Sequence, residues 1–367
     1  MSEADLILVI VVVTALAFDF TNGFHDTANV VATSISTRAM SPRVAVGFAA
    51  VLNFAGAFIS LEVAATVAND VVDPSAIASN TVLFAGLVGA IAWNLATWYF
   101  GLPSSSSHAL IGGIVGATLV AAGTDAVLGD GILAKVLIPA LIAPVVAFIV
   151  GAVAIVCCYR IVGRQRPGPV TRGFRYGQVV SGGLLALAHG TNDAQKTMGV
   201  ITLALIINGN LSADSFEVPT WVVVSAASAI ALGTYSGGWR IIRTMGSRII
   251  KMDAAQGFSA QGAGAAVILA SSHFGFPLST THVISGGVMG AGAGKRVSAV
   301  RWGVAGNMVV AWILTLPAAA LIGGLAYLVT DLFPGAVGPI LLAALGLILV
   351  AIAVARRLRA GAPAPAG

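Results

Sequence analysis

GLPSSSSHALIGGIVGA at residues 101–117 returns without a gap as GFPLSTTHVISGGVMGA at 275–291. Gly101, Pro103, Ser105 and His108 coincide with Gly275, Pro277, Ser279 and His282, and Gly112, Gly113, Gly116 and Ala117 with Gly286, Gly287, Gly290 and Ala291. The chain is therefore two copies of one plan. Proline at a helix start needs no amide partner, and the hydroxyls that follow it cap the first-turn amides or leave them free. Ser104–Ser107 and Ser279–Thr281 thus read as two neutral cradles, each a helix N-terminus facing an anion. The competing reading is two ordinary turns between full spans, with each serine bonded to its own backbone. Full crossings would place the two motifs on opposite membrane faces, where no single ligand touches both. Re-entrant, or closely paired, hairpins are expected for that reason.

The rest of the chain is too apolar for water. It is 57% hydrophobic and only 9% charged, with a mean hydropathy of +0.95, against about 25% charged residues in soluble domains. Its apolar runs are continuous and long enough for membrane helices, whereas a barrel needs alternating segments of about ten residues. Cys157 and Cys158 are adjacent, so they build neither a disulfide framework nor a metal-ligand spacing. The first run resembles a signal peptide in its length and in ALA at 15–17, but its leading SEAD is acidic where a signal is basic. It is expected to stay as a mature helix.

Loop charge sets an expected orientation. Residues 5–37 end at Arg38 and Arg43, and the run 43–68 leads to Asp70 and Asp73. Residues 80–121 go in and return to Asp125 and Asp130, and 133–158 cross to Arg160, Arg164, Arg166, Arg172 and Arg175. The pattern then restarts with its sign reversed. Residues 176–207 lead to Asp214 and Glu217, 219–238 return, and a hairpin over 257–293 starts and ends among basic residues. Residues 302–331 cross outward, and 336–355 return to Arg356, Arg357 and Arg359. Basic loops mark the cytoplasmic side, so the amino terminus is expected outside and the carboxyl terminus in the cytoplasm of a plasma-membrane protein. Lys135, on an outer flank, is explained only by snorkelling.

The expected fold is an all-α polytopic membrane protein of two inverted-topology repeats, each holding a broken helix and a re-entrant hairpin. The repeats cover 1–158 and 176–331, around a short basic cytoplasmic loop at 159–175 with no inserted soluble domain. An extra transmembrane helix, 332–355, and a tail, 356–367, follow. Inverted repeats with interrupted helices point to a secondary transporter whose site lies near the midplane.

The interruptions are GFHDTANVVATSISTR at 23–38 and HGTNDAQKTMG at 189–199. An Asp at the centre of a membrane helix costs about 2.5–3.5 kcal/mol and faces a bundle interior or an aqueous cavity. Asp26 is followed three residues later by Asn29 and Asp193 by Lys196, one turn on the same face. Asp26 and Asp193 suit a cation site, with Asn29 and Asn192 adding hard oxygens. Na⁺ is an ion for such a set, and no resident metal or cofactor is expected. The alternative is internal pairing, with Lys196 neutralising Asp193. His25 is placed to relay a proton, and His108 and His282 to tie the hairpins to neighbouring helices. Lone His189 and His273 read as structural.

The strings NGFHDTANVVAT with TRAM, HGTNDAQKTMG, PSSSSH, PLSTTH and WNLATWYFGLP resemble the inorganic phosphate transporter family, its low-affinity bacterial branch especially. The resemblance spans both halves. It implies phosphate symport driven by sodium or protons through an inverted-repeat fold. It assigns cation binding to Asp26, Asn29, Asn192 and Asp193, and phosphate contact to Ser105, Ser106, Ser107, Gln195, Ser279, Thr280 and Thr281. The commoner GANDVAN form has Asn where this chain has His25, and Asn again where it has Lys196. Both departures weaken tight sodium coordination and favour proton coupling or a metal–phosphate complex as substrate. The partners expected are inorganic phosphate, a coupling cation and the lipid bilayer, with no nucleic acid and with a homodimer left open. A symporter of sulfate or another oxyanion is the nearest rival, and an anion channel the next. An intramembrane hydrolase is disfavoured, because the adjacent Ser107 and His108 do not face each other on a helix. No enzyme is expected.

Overall fold

The computed structural model describes residues 2–212 and 216–359, so Asp214 and the tail beyond 359 lie outside the described residues. The first half comprises α1 (Glu3–Ser36), α2 (Pro42–Gly56), α3 (Glu62–Asn69), α4 (Thr81–Phe100), α5 (Ser106–Ala122) and α6 (Gly129–Val162). The second comprises α7 (Pro167–Ile207), α8 (Thr220–Ser236), α9 (Trp239–Arg248), α10 (Ala254–His273), α11 (Thr280–Lys295) and α12 (Trp302–Asp331), with α13 (Val337–Arg359) following. Among the described residues α1, α4, α6 and α12 are long and apolar enough to cross a membrane, and the bent pair α8–α9 makes a fifth.

The two halves repeat one another contact for contact. α5 packs on α12 as α11 packs on α6, and α1 packs on α8 as α7 packs on α2. Close approach at glycine makes each joint. Gly112 and Gly116 lie against the backbone of Leu316 and Ala320, and their counterparts Gly286 and Gly290 against Pro144 and Phe148. Gly23 meets the Ile230 carbonyl as Gly190 meets that of Asn53, and Gly233 meets Phe20 as Gly56 meets Leu187. A β-carbon at any of these points would collide with a neighbouring backbone, and such small-residue contacts are how membrane helices pack tightly.

The breaks in the helices fall elsewhere than expected. α1 and α7 run without interruption through the polar stretches at 23–38 and 189–199. Their interruption is one of composition, because the polar side chains bond to neighbouring helices and leave the backbone ladder whole. The expected run 43–68 is the one that breaks, whereas the run 219–238 forms one helix and is followed at once by a short helix where only an inner loop was expected. α2 stops at Gly56 and α3 begins at Glu62, while α8 and α9 meet at 60° across Gly237, which takes a φ of 70°. The basic loop expected at 159–175 also shrinks to a turn at 163–166, since α6 continues to Val162 and α7 begins at Pro167. Lys135 places its ammonium 5.5 Å from the Phe276 ring centre, a cation–π contact that explains a basic residue on that flank.

The hairpins are α4–α5 and α10–α11. At 17 and 16 residues, α5 and α11 are about 26 and 24 Å long, short of the roughly 30 Å hydrocarbon core. Two apolar clusters flank them. Val11, Phe18, Met198 and Ile201 belong to one, and Val30, Val31, Leu185 and Ala188 to the other. The polar residues of α1 and α7 form the layer between them.

Candidate functional site

Both hairpin tips end in that layer. Ser105 and Ser279 are N-caps, accepting from the His108 and His282 amides at 3.1 and 3.3 Å. Their hydroxyls thus serve their own helices. The next two positions of each tip point at α1 and α7. Ser106 donates to Asp26 Oδ2 at 2.8 Å, and Thr280 lies 3.4 Å from that oxygen and 3.3 Å from Asp193 Oδ2. Thr280 therefore sits between the two carboxylates. Thr281 accepts from Asn29 Nδ2 at 2.8 Å, and Ser107 donates to the Leu278 carbonyl at 2.9 Å.

Each carboxylate is buried and already partnered. Asp26 Oδ1 is 2.6 Å from His25 Nδ1, and the other ring nitrogen of His25 reaches Thr97 at 3.2 Å. Asp193 Oδ1 is 2.5 Å from Lys196 Nζ, and its Oδ2 is 3.1 Å from His189 Nε2. Lys196 spends its remaining donors on Ser107 Oγ at 2.5 Å and the Leu278 carbonyl at 2.9 Å. One ammonium thereby ties α7 to both tips. A fully buried lysine is tolerated only where it is paired and hydrogen-bonded in this way.

Most of the expected residues meet, while Ser105 and Ser279 cap their own helices and Asn192 and Gln195 bond outside the cluster. Asp26, Asn29, Asp193, Lys196, Ser106, Ser107, Thr280 and Thr281 form one hydrogen-bonded cluster, with His25 attached through Asp26. Asn192 stands beside it, donating to Ser272 and the Phe276 carbonyl and keeping a buried Oδ1 that has no hydrogen-bond partner among the described residues. Gln195, expected at phosphate, is instead held away from the tips. Its Oε1 accepts from the Val63 and Ala64 amides at 2.8 and 3.2 Å, and its Nε2 donates to the Thr191 carbonyl. It caps the first turn of α3, whose amides the helix break would otherwise strand.

His189, read as a lone structural histidine, proves to be an Asp193 partner, and its i,i+4 spacing from that aspartate is the available signal. Thr97 and Ser104, which bond each other at 2.8 Å around His25, carry no such signal. Ser107 gives its hydrogen to a carbonyl and not to His108, so the two adjacent residues form no Ser–His pair. Asp26, His189 and Asp193 can present ligand atoms within 4.8 Å of one another. Near Gly101 the first hairpin opens on a cavity of about 300 Å³ lined by Arg240, Arg243 and Arg248. Thr244 bonds the Gly101 carbonyl there at 3.0 Å, and Arg240 bonds that of Tyr99.

A layer of paired charges buried between two apolar cores, with two helix N-termini converging on it, defines a helical membrane protein that handles ions. The sequence pattern of the phosphate transporter family matches residues 22–171 and 164–323. A protein of Mycobacterium tuberculosis named "Probable low-affinity inorganic phosphate transporter" is 55% identical over 335 residues, covering 91% of this chain and 80% of its own. A Bacillus subtilis protein of the same name is 45% identical over 328 residues, 89% of this chain and 98% of its own. A solved structure named "The sodium-dependent phosphate transporter" superposes with a TM-score of 0.80 at 23% identity, over 89% of this chain and 100% of that one. The chain belongs to the phosphate transporter family.

Proposed function

We propose that the protein is a secondary active transporter that imports inorganic phosphate across the plasma membrane by symport with protons or sodium. The observation that carries the proposal is the meeting of Ser106, Ser107, Thr280 and Thr281 from two helix N-termini with two buried carboxylates. Hydroxyls and first-turn amides bind a tetrahedral oxyanion without adding net charge. A carboxylate beside them accepts the proton that monohydrogen and dihydrogen phosphate carry and sulfate lacks. Asp26, 2.8 Å from the Ser106 hydroxyl, is such an acceptor and favours phosphate over sulfate. The two carboxylates also balance a co-transported cation, which an anion channel would not need, and the sodium dependence for which the solved relative is named supports a cation-coupled mode. The pseudo-repeated contacts fit two halves of inverted topology, each presenting one tip to a shared site.

A second reading of the substrate rests on Asp26, His189 and Asp193, whose ligand atoms can surround one ion. Phosphate then travels as a neutral complex with a divalent metal, both being cargo. Uptake of labelled phosphate into proteoliposomes, under separately imposed sodium and proton gradients and with or without a divalent metal, tests both readings. Accumulation with neither gradient, or of sulfate in preference to phosphate, would refute the proposal. For orientation, with amino terminus outside and carboxyl terminus in the cytoplasm, Ser75→Cys and Gly168→Cys occupy exposed positions. In a background lacking Cys157 and Cys158, an impermeant thiol reagent added outside cells should label only the first.

A further inference from the structure

Asp19 stands on α1 two turns before Asp26, 0% exposed, and neither carboxylate oxygen has a hydrogen-bond partner among the described residues. Asn22, on the same face one turn later, is also 0% exposed with both amide atoms unpartnered. The buried Thr197 hydroxyl, unpartnered as well, approaches Asp19 from α7. The charges that bear on Asp19 are Asp193 and Lys196 of α7, the latter with its hydrogens already spent. The tyrosines of α4 and α8, Tyr99 and Tyr235, are both exposed on the outside of the bundle. Among the described residues no cation is left over for this carboxylate.

An ionised carboxylate there has only two neutral donors within reach, Asn22 Nδ2 and Thr197 Oγ1, and no cation to balance it, too little for a charge with no exposure. A carboxylic acid has no charge to balance. With a proton bound, Asp19 gains a hydroxyl that donates to Asn22 Oδ1 or Thr197 Oγ1, and a carbonyl that accepts from Asn22 Nδ2. The proton supplies the one donor that the ionised cluster lacks, for the buried Asn22 Oδ1, and removes the uncompensated charge. A bare metal cation fits less well, because the cluster supplies only the Asp19, Asn22 and Thr197 oxygens and the Lys196 ammonium repels it. The second half holds no copy of the cluster. At the 167-residue offset that relates Asp26 to Asp193, Asp19 falls on Ala186, and Thr197 on Val30.

We propose that Asp19, supported by Asn22 and Thr197, is the carrier of the coupling proton, a protonation site separate from the Asp26–Asp193 pair. This rests on the symport reading above. Asp26 is engaged by His25 and Ser106, and Asp193 by Lys196 and His189. Asp19 is the carboxylate of the polar layer with both oxygens free to take up a proton and release it.

The test uses the whole protein in proteoliposomes with three forms of position 19: wild type, Asp19→Asn and Asp19→Glu. Asp19→Asn is expected to exchange phosphate across the membrane at the wild-type rate when phosphate is equal on both sides. It should lose proton-driven accumulation by about tenfold or more, and Asp19→Glu should recover it. Infrared difference spectra should show a buried carboxylic-acid carbonyl band in the wild type that is absent from Asp19→Asn. Wild-type accumulation by Asp19→Asn overturns the proposal, as does loss of exchange together with accumulation in a folded variant. Should Asp19→Asn fail to fold, Asp19→Glu and the wild-type spectrum decide: no buried acid band, or no proton-driven accumulation by a folded Asp19→Glu, overturns it. Wild-type protein that moves no phosphate at all defeats the transport reading instead, and leaves the infrared result standing on its own.

Discussion

α1 and α7 enter the polar layer with the same spacing and leave it with different charges. In each half the aspartate takes a hydroxyl from its own hairpin, Ser106 for Asp26 and Thr280 for Asp193. Three residues on, each helix reaches across to the opposite hairpin, Asn29 to Thr281 and Lys196 to Ser107. The bonding pattern is shared. The reaching group is an amide in one half and an ammonium in the other. Geometry is therefore a property of the repeat, while the permanent charge enters at a single position. Lys196 puts a fixed cation 2.5 Å from Asp193, whereas beside Asp26 stand the His25 ring and the Ser106 hydroxyl.

That asymmetry can be broken most forcefully at its charged end. Asp193→Asn strands the Lys196 ammonium in a buried site, at a cost of about 3–5 kcal/mol. Asp26→Asn leaves no permanent charge stranded, because its partners are the His25 ring and the Ser106 hydroxyl, so its melting temperature in detergent should fall much less. Both variants should lose concentrative phosphate uptake. Equal melting temperatures would show that the two aspartates are not differently paired. Lys196→Asn makes the second half like the first and removes the repulsion of a second cation. Phosphate uptake should then grow more dependent on sodium, by about tenfold if only ~1.4 kcal/mol of repulsion is relieved. Unmutated protein that already follows a sodium gradient and ignores a proton gradient of equal size would reduce Lys196 to a structural tie.

Smaller effects sharpen the same contrast. Gln195→Ala removes a cap from α3 and should lower stability by about 1–2 kcal/mol with unchanged phosphate affinity. A selective loss of affinity would return Gln195 to the substrate site. The hairpin roots also differ. Asn80 secures the first by donating to the Ala204 carbonyl at 3.0 Å, whereas the second starts at Asp253, bonded to Tyr159 at 2.6 Å and Lys295 at 2.9 Å. Burial pushes the Asp253 carboxyl up, but the Tyr159 hydroxyl, the Gln256 amide and Lys295 outweigh it and hold it below its ordinary 3.8. A depressed carboxyl contributes stability above its unfolded value and loses it as pH falls through the folded one. Acidification below pH ~4 should therefore loosen the start of α10 and not that of α4, by well under 1 kcal/mol for so exposed a pair. Hydrogen exchange at the two roots measures the difference.

Much of this is legible in the sequence because repetition is visible without structure. The matched hairpins at 101–117 and 275–291 reveal the two halves, and the intramembrane polar residues point to the layer where the tips meet. Helix continuity is not legible. Polar residues inside an apolar run read as a backbone break, yet Asp26 and Asp193 are satisfied by side chains from other helices, which no local pattern encodes. The true breaks, after Gly56 and at Gly237, lie where a distant Gln195 caps one of the restarts. The sequence shows Asp19 as the start of the polar break that runs to Asp26, but not that it lies apart from the paired carboxylates, because burial without an ion pair leaves no motif.

The crossed packing of the halves also sets a timetable. α5 rests on α12 and α6 on α11, so neither finds its main partner until the second half has left the ribosome. With residue 302 made 180 residues after residue 122, at about 5–20 residues per second, α5 waits roughly 10–40 s in the lipid. The packing of α5 is completed only when α12 is made, and a chain truncated before α12 leaves the Gly112 and Gly116 face of α5 without Leu316 and Ala320.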